Sequence, residues 1–145
     1  MNASYKISQV TKLTQSTMLD CYYIVLQSLP NDADGFYYTL QNKADKPGVV
    51  MFVALDKGDV IRGFIIGHFT GTPGNAKIDW LFVEGRHGRQ GVGGMLVQTL
   101  SDYCRAHDIS QLHVQPARTI QARQFYAKHG FVPRDYVLWD KDLGR

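Results

Sequence analysis

The stretch DWLFVEGRHGRQGVGGMLVQTL, residues 79–100, decides how the chain reads. Trp80, Leu81, Phe82 and Val83 form a run of strand formers. Residues 84–90 then turn to Glu, Gly, Arg, His and Gln. Gly91, Gly93 and Gly94 follow where a helical period begins, with Val92, Met95, Leu96, Thr99, Leu100 and Tyr103 on one face. An interior helix glycine costs about 1 kcal/mol against alanine, and roughly 2 kcal/mol for the triplet if part of it lies in the cap. A strand, a glycine-rich turn and a helix start together make an anion site. Orphan N–H groups converge there, the helix dipole favours negative charge, and glycine lets phosphate oxygens reach the backbone. A plain strand-to-helix turn needs one such glycine. Four, at Gly88, Gly91, Gly93 and Gly94, with Arg86 and Arg89 among them, favour a phosphate-bearing ligand. The P-loop pattern fails because Met95 follows the last glycine. The dinucleotide fingerprint fails because its third small residue falls on Leu96.

Outward from this stretch, residues 5–10 alternate as a strand. TQSTMLDCYYIVLQSLP places Met18, Leu19, Tyr22, Val25, Leu26 and Leu29 at helical spacing, and Pro30 stops it. Residues 31–48 read as a loop and a short helix ending at Pro47-Gly48. Residues 49–71 read as two strands around Asp56-Lys57-Gly58-Asp59, a hairpin signal. A strand follows over AKIDWLFVE, then the glycine turn and its helix, and a short strand over SQLHVQP. TIQARQFYAKHGF is a helix with Ala122, Phe125, Tyr126 and His129 on one stripe and Gly130 as its left-handed terminator. YVLWDKDL closes the chain as a strand. Early hairpins and later crossovers imply a mixed sheet with helices packed on it.

The 145 residues suit one domain, taken as 1–145, with 44% hydrophobic and 20% charged residues, the balance of a globular chain. A net charge of +3 without a basic run does not indicate a nucleic-acid surface, and none is expected. Cys21 and Cys104 write no disulfide framework, which points to a reducing, cytoplasmic setting. No apolar stretch is long enough to cross a bilayer. Cys104 and His107 stand at i, i+3 but no further ligands join them, so no metal is expected.

LFVEGRHGRQGVGGMLV followed by TIQARQFYAKHGF resembles the acetyl-CoA-binding core of the GNAT N-acetyltransferase superfamily. That family carries Q/R-x-x-G-x-G/A after a strand ending in Val, then A-x-x-F/L-Y-x-x-x-G-F on a later helix. The second pattern matches at Ala122, Phe125, Tyr126, Gly130 and Phe131. The resemblance implies an α/β fold with a mixed, mostly antiparallel sheet, splayed central strands and helices on both faces. It implies acetyl-CoA as the donor. Leu81 and Val83 would pair with pantetheine, and Gly88, Arg89, Gln90, Gly91, Val92, Gly93 and Gly94 would hold the pyrophosphate. Gly88 stands in the Q/R place and would serve through its N–H. Thr119 replaces the usual Asn and, with Tyr126, completes the cofactor set.

Direct acetyl transfer needs a neutral amine, an oriented thioester and help for the leaving thiolate. Tyr126 is the candidate acid, as the family's thiolate-facing Tyr. Asp79, four residues before Val83 and on the same strand parity, is the first candidate base or water-holder. His113 on the next strand is the second. Glu84 reads as a solvated strand end. By resemblance, residues 20–38 wall an acceptor cleft in which Tyr22, Asp32, Asp34 and Tyr37 suit a cationic amine. A polyamine, aminoglycoside or peptide amine is favoured slightly over an amino acid. A non-catalytic acyl-CoA-binding module of the same fold stays open as an alternative. A homodimer through Tyr136, Leu138 and Trp139 is a resemblance-level expectation.

Overall fold

The computed structural model describes residues 4–43, 46–88, 90–134 and 139–144. The elements are β1 (Lys6–Gln9), α1 (Gln15–Ser28), α2 (Ala33–Lys43), β2 (Val49–Leu55), β3 (Ile61–Phe69), β4 (Asn75–Val83), a 3₁₀ turn (Gly85–His87), α3 (Val92–Ala106), β5 (Gln111–Val114), α4 (Ile120–Lys128), β6 (Val132–Pro133) and β7 (Trp139–Asp142). β6 was not expected, because two residues ending in proline carry no readable period. The strands lie in the order β1-β2-β3-β4-β5-β7-β6. β4 and β5 run parallel, and the other pairs are antiparallel. Among the described residues no helix is long and apolar enough to cross a membrane.

Each face of the sheet buries its own core. Strand alternation sends Ile65 of β3 to the side of α3, with Leu96, Leu100, Leu112 and Phe131. Phe64 and Ile66 go to the side of α1 and α2, with Cys21, Val25, Phe36 and Leu40. α1 opens at Thr14, whose Oγ1 accepts from the N–H of Thr17 at 3.2 Å. Its buried residues are Cys21, Ile24 and Val25; of the expected stripe Val25 is among them, Met18, Tyr22 and Leu26 pack partly buried on the same core, and Leu29, past the helix end, is 45% exposed. Apolar residues on nearly every side of this helix let the sheet, not the period, choose its inner face. The face of α3 is shifted likewise: Val97 and Cys104 are buried, while Met95 is only partly covered.

Two irregularities of β4 shape everything that follows. Its pairing to β3 skips from Ile66↔Trp80 to Gly67↔Ile78, so Asp79 is an extra residue, a β-bulge. The bulge reverses the alternation. Ala76 and Ile78 face α3 before it, and Leu81 and Val83 face α3 after it. Trp80 and Phe82 face α1 and α2. The pairing of β4 with β5 also ends, at Ile78↔Val114. Past that point β4 runs on to Val83 while β5 stops, so the two strands fork.

Candidate functional site

Below the fork, on the α3 side, lies a groove of about 680 Å³. Leu81 and Val83 form one wall, and Ala122, Phe125, Tyr126 and His129 form another. The helical stripe expected for α4 is therefore a groove wall. Gly88, Gly91, Gly93 and Gly94 line the same space, with Met95 and Gln98 continuing along α3. Gln98 went unnoticed in the sequence, although Gly91, Gly94, Met95 and Gln98 share one face by i, i+3 and i+4 spacing.

The glycines divide by cause. Gly91 is the N-cap of α3 with φ +78°, and no side chain caps the helix there. The first intrahelical bond runs from the Met95 N–H to the Gly91 carbonyl, at 3.0 Å. The N–H groups of Val92, Gly93 and Gly94 are thus the orphan donors of the helix start. Gly93 and Gly94 have a second reason to lack a Cβ. One at Gly93 would stand 3.1 Å from the Phe125 ring, and one at Gly94 would stand 2.7 Å from His129. The glycines let α4 press against α3. Gly88 departs from expectation, since its own N–H goes to the Gly85 carbonyl at 3.3 Å. The Val92 side chain is fully buried and offers only backbone. Gln90 sits exposed on the turn, and Arg89 lies outside the described residues.

Glu84 is buried, contrary to its reading as a solvated residue. Its carboxylate accepts from the backbone N–H and the guanidinium of Arg86, each at 3.2 Å, and lies 3.8 Å from Arg62 and 3.7 Å from His87 Nε2. Burial pushes its pKa up, but the Arg86 bonds and charge and the nearby His87 more than offset that, leaving it below the usual carboxylate range. Tyr5 Oη bonds His87 Nδ1, so β1 is tied to the same turn. Arg86 is thereby committed to Glu84, although its side chain remains 80% exposed.

Tyr126 is buried on the groove wall, edge-on to Phe125 and Phe131. Burial pushes its phenol up to about 12. Its chain is locked by Gly130, at φ +91°, where the Phe131 N–H returns to the Tyr126 carbonyl at 2.9 Å. Thr119 spends its hydroxyl on capping α4, accepting from the Ala122 N–H at 3.1 Å. It does not line the groove. His129 is held below its ordinary value by burial and by Lys128 and Lys141.

The candidate bases lie elsewhere. Asp79 does not share a face with Val83, because the bulge reverses the alternation between them and leaves Asp79 on the α2 side. There its Oδ2 stands 2.7 Å from His68 Nδ1, in a separate cavity of about 280 Å³. His113 does not line the groove either. Its Nδ1 stands 2.8 Å from the buried carboxylate of Asp140, which Arg134 also contacts at 3.2 Å.

The candidate acceptor residues separate into two places. Tyr22 donates to Asp34 at 2.9 Å and meets Tyr37 edge-on, around a hollow between α1 and α2. Asp32 lines another hollow, with Trp80 and Phe82. The Asp34 bond raises the Tyr22 phenol. Tyr136 and Leu138 lie outside the described residues, and Trp139 packs on the core. Among the described residues no three His, Cys, Asp or Glu side chains gather at metal-holding distance.

A family model described as the acetyltransferase (GNAT) family matches residues 14–131. The chain belongs to the GNAT family. No curated protein sequence matches it. Among solved structures, a GNAT-family protein from Desulfovibrio desulfuricans superposes with TM-score 0.85 at 15% identity, over 96% of this chain and 100% of that one. The ribosomal-protein-S18-alanine N-acetyltransferase of Escherichia coli gives 0.76 at 18%, over 97% and 95%. An aminoglycoside 6'-N-acetyltransferase complexed with coenzyme A gives 0.77 at 14%, over 97% and 98%. These likenesses show the GNAT fold: a mixed α/β, mostly antiparallel sheet whose central strands part.

Proposed function

We propose that this GNAT chain is an N-acetyltransferase that passes the acetyl group of acetyl-CoA directly to a primary amine. The observation that carries the reading is the single groove in which the free edge of β4, the open N-terminus of α3 and the buried Tyr126 meet. Pantetheine amides would add to the β4 edge at Leu81 and Val83 as a peptide adds to a sheet. The pyrophosphate would take the N–H groups of Val92, Gly93 and Gly94. Gly88, Gln90, Gly91 and Arg89 would complete the turn around it. Binding then rests on backbone donors, with arginine in a secondary place.

A lysine-like amine, pKa about 10.4, costs roughly 4.6 kcal/mol to deprotonate at pH 7, so a base is useful. Asp79 marks the base site on the α2 face of the fork, through itself, a held water or the imidazole it binds, and His113, already bound to Asp140, is the weaker candidate. Tyr126 donates a hydrogen bond to the departing thiolate. The named acceptors of the superposed enzymes, a protein alanine and an aminoglycoside, span the acceptor classes open here. We take residues 1–145 as one domain acting in the cytoplasm.

Calorimetry with acetyl-CoA, followed by thiol release across a panel of amines, tests the reading. Micromolar binding and acceptor-dependent thiol release are expected. No binding would refute it. Binding without release on any amine would favour a non-catalytic acyl-CoA-binding module.

A further inference from the structure

Resting on that reading, we propose that His68, oriented by Asp79, is the group that takes the proton from the acceptor amine. β4 loses its β5 partner after Ile78, so a thioester lying along its free edge ends at the fork. Asp79 is the first residue past that point; it alternates from Ile78 to the opposite face, and the bulge leaves Trp80 on that face beside it. There it meets His68 at 2.7 Å, on the neighbouring strand β3. A carboxylate on Nδ1 fixes the tautomer that carries the proton at Nδ1 and leaves Nε2 as the bare acceptor.

The surroundings suit an amine. The His68 and Asp79 side chains are 37% and 28% exposed, so solutes reach them. The cavity beside them is walled by Leu40, Val49, Ile66 and Trp80, apolar surface that fits a short alkyl chain, and also by Lys43 and Lys46, so the Asp79 carboxylate is the group there that attracts an amino cation. One carboxylate oxygen is already engaged by the imidazole. The other His–Asp pair, His113 with Asp140, is placed differently: Asp140 is 4% exposed and shared with Arg134.

One N–H proton of the ammonium passes to His68 Nε2, giving an imidazolium beside the Asp79 carboxylate. The freed nitrogen lone pair forms the C–N bond, and the C–S bond breaks with its electrons leaving on sulfur. A second N–H proton ends on that sulfur as free thiol, with Tyr126 bonded to it meanwhile, and the imidazolium returns its proton to water.

The test is the pH dependence of acetyl transfer for wild type, His68→Asn and Asp79→Asn, with the best acceptor from a panel of alkylamines, diamines, amino acids and dipeptides. The charged groups facing His68 are Asp79 and Lys77 on β4, Lys43 at the end of α2 and Lys46 beyond it, with His113 next along the row from Lys77. His68→Asn is expected to lower kcat/KM about 100-fold at pH 7 and to leave the acetyl-CoA Kd unchanged. The deficit should shrink about tenfold per pH unit as solvent supplies neutral amine, because the variant lacks the acidic limb at which wild type levels off. Asp79→Asn should lose less and move that limb. A pH-independent loss of any size in His68→Asn, or a profile superimposing on wild type, overturns the proposal while leaving N-acetyl transfer standing. A wild type that binds acetyl-CoA but releases thiol with no amine overturns both.

Discussion

Replacing Tyr126 by Phe removes one hydroxyl from the groove wall and keeps the ring that packs 5.1 Å from Phe125 and 5.4 Å from Phe131. With the phenol at about 12, it cannot hand its proton over cheaply. Against an ordinary thiol near 8.5, full transfer is uphill by roughly 3.5 units, or about 4.8 kcal/mol. What it can offer is a hydrogen bond to a charged acceptor, worth about 1.5–3 kcal/mol. The expected loss in kcat is therefore about 10- to 150-fold, with acetyl-CoA affinity unchanged. Single-turnover thiol release under rate-limiting chemistry measures this, and a thermal melt confirms that the variant is folded. Wild type should show no fall in rate from Tyr126 ionisation below about pH 11. Two results refute the reasoning. One is an unchanged single-turnover rate. The other is a loss far beyond a thousandfold together with a wild-type basic limb below pH 10 that vanishes in the variant.

Alkaline titration gives a second check. Tyr126 is raised from 10.0 to about 12 and Cys104 from 9.0 to about 11, both by burial, so the fold favours their protonated forms. That stability is fully present below about pH 9 and lost as pH rises through 12, which urea midpoints between pH 8 and 11 will show. Glu84 acts at the other end of the scale: its lowered pKa means stability present above pH 4.5 and lost as pH falls through the folded value. Glu84→Gln should lower the urea midpoint at pH 7, weaken acetyl-CoA binding, and match wild type in acid. Gly91→Ala should cost about 1–2 kcal/mol through its positive φ alone, since no atom stands within 4 Å to clash, and Gly91→Asn should cost less in the same urea titration. Gly94→Ala gains up to about 1 kcal/mol of helix propensity but drives the new methyl into His129. It should leave the melting temperature nearly unchanged and weaken acetyl-CoA binding by calorimetry.

Legibility followed the range of the cause. The glycine turn, the groove stripe on α4 and the Gly130 terminator were readable because period, cap and left-handed turn are local events. The inner face of α1 was readable in part: Met18, Tyr22, Val25 and Leu26 meet the core as their spacing implies, but Cys21 and Ile24 are buried deeper because the sheet chooses among apolar residues that surround the helix. Glu84 read as solvated because its own stretch does not announce that Arg62 comes from β3 and that Tyr5 holds His87 in place beside it. Asp79 was misdirected for a sharper reason. A bulge is a count of residues on two paired strands, and β4 taken alone holds no record of how many residues β3 sets against it. His68 is by sequence a lone strand histidine, and its interest comes only from the Asp79 carboxylate beside it on the next strand. Gly93 and Gly94 were noticed for one cause and owe part of their identity to another, the rings of α4.

β4 spends nine residues crossing the molecule and changes phase partway. After the change its odd positions, Leu81 and Val83, address the groove, and its even positions, Trp80 and Phe82, address the hollows beneath α1 and α2. Donor and acceptor preferences are thus written on alternate letters of a single strand. A lineage can rewrite the even letters to admit a new amine while the odd letters go on holding the same coenzyme. Deleting Asp79 would only remove the bulge, because Trp80 would then follow Ile78 in regular alternation and both sets of letters would keep their faces.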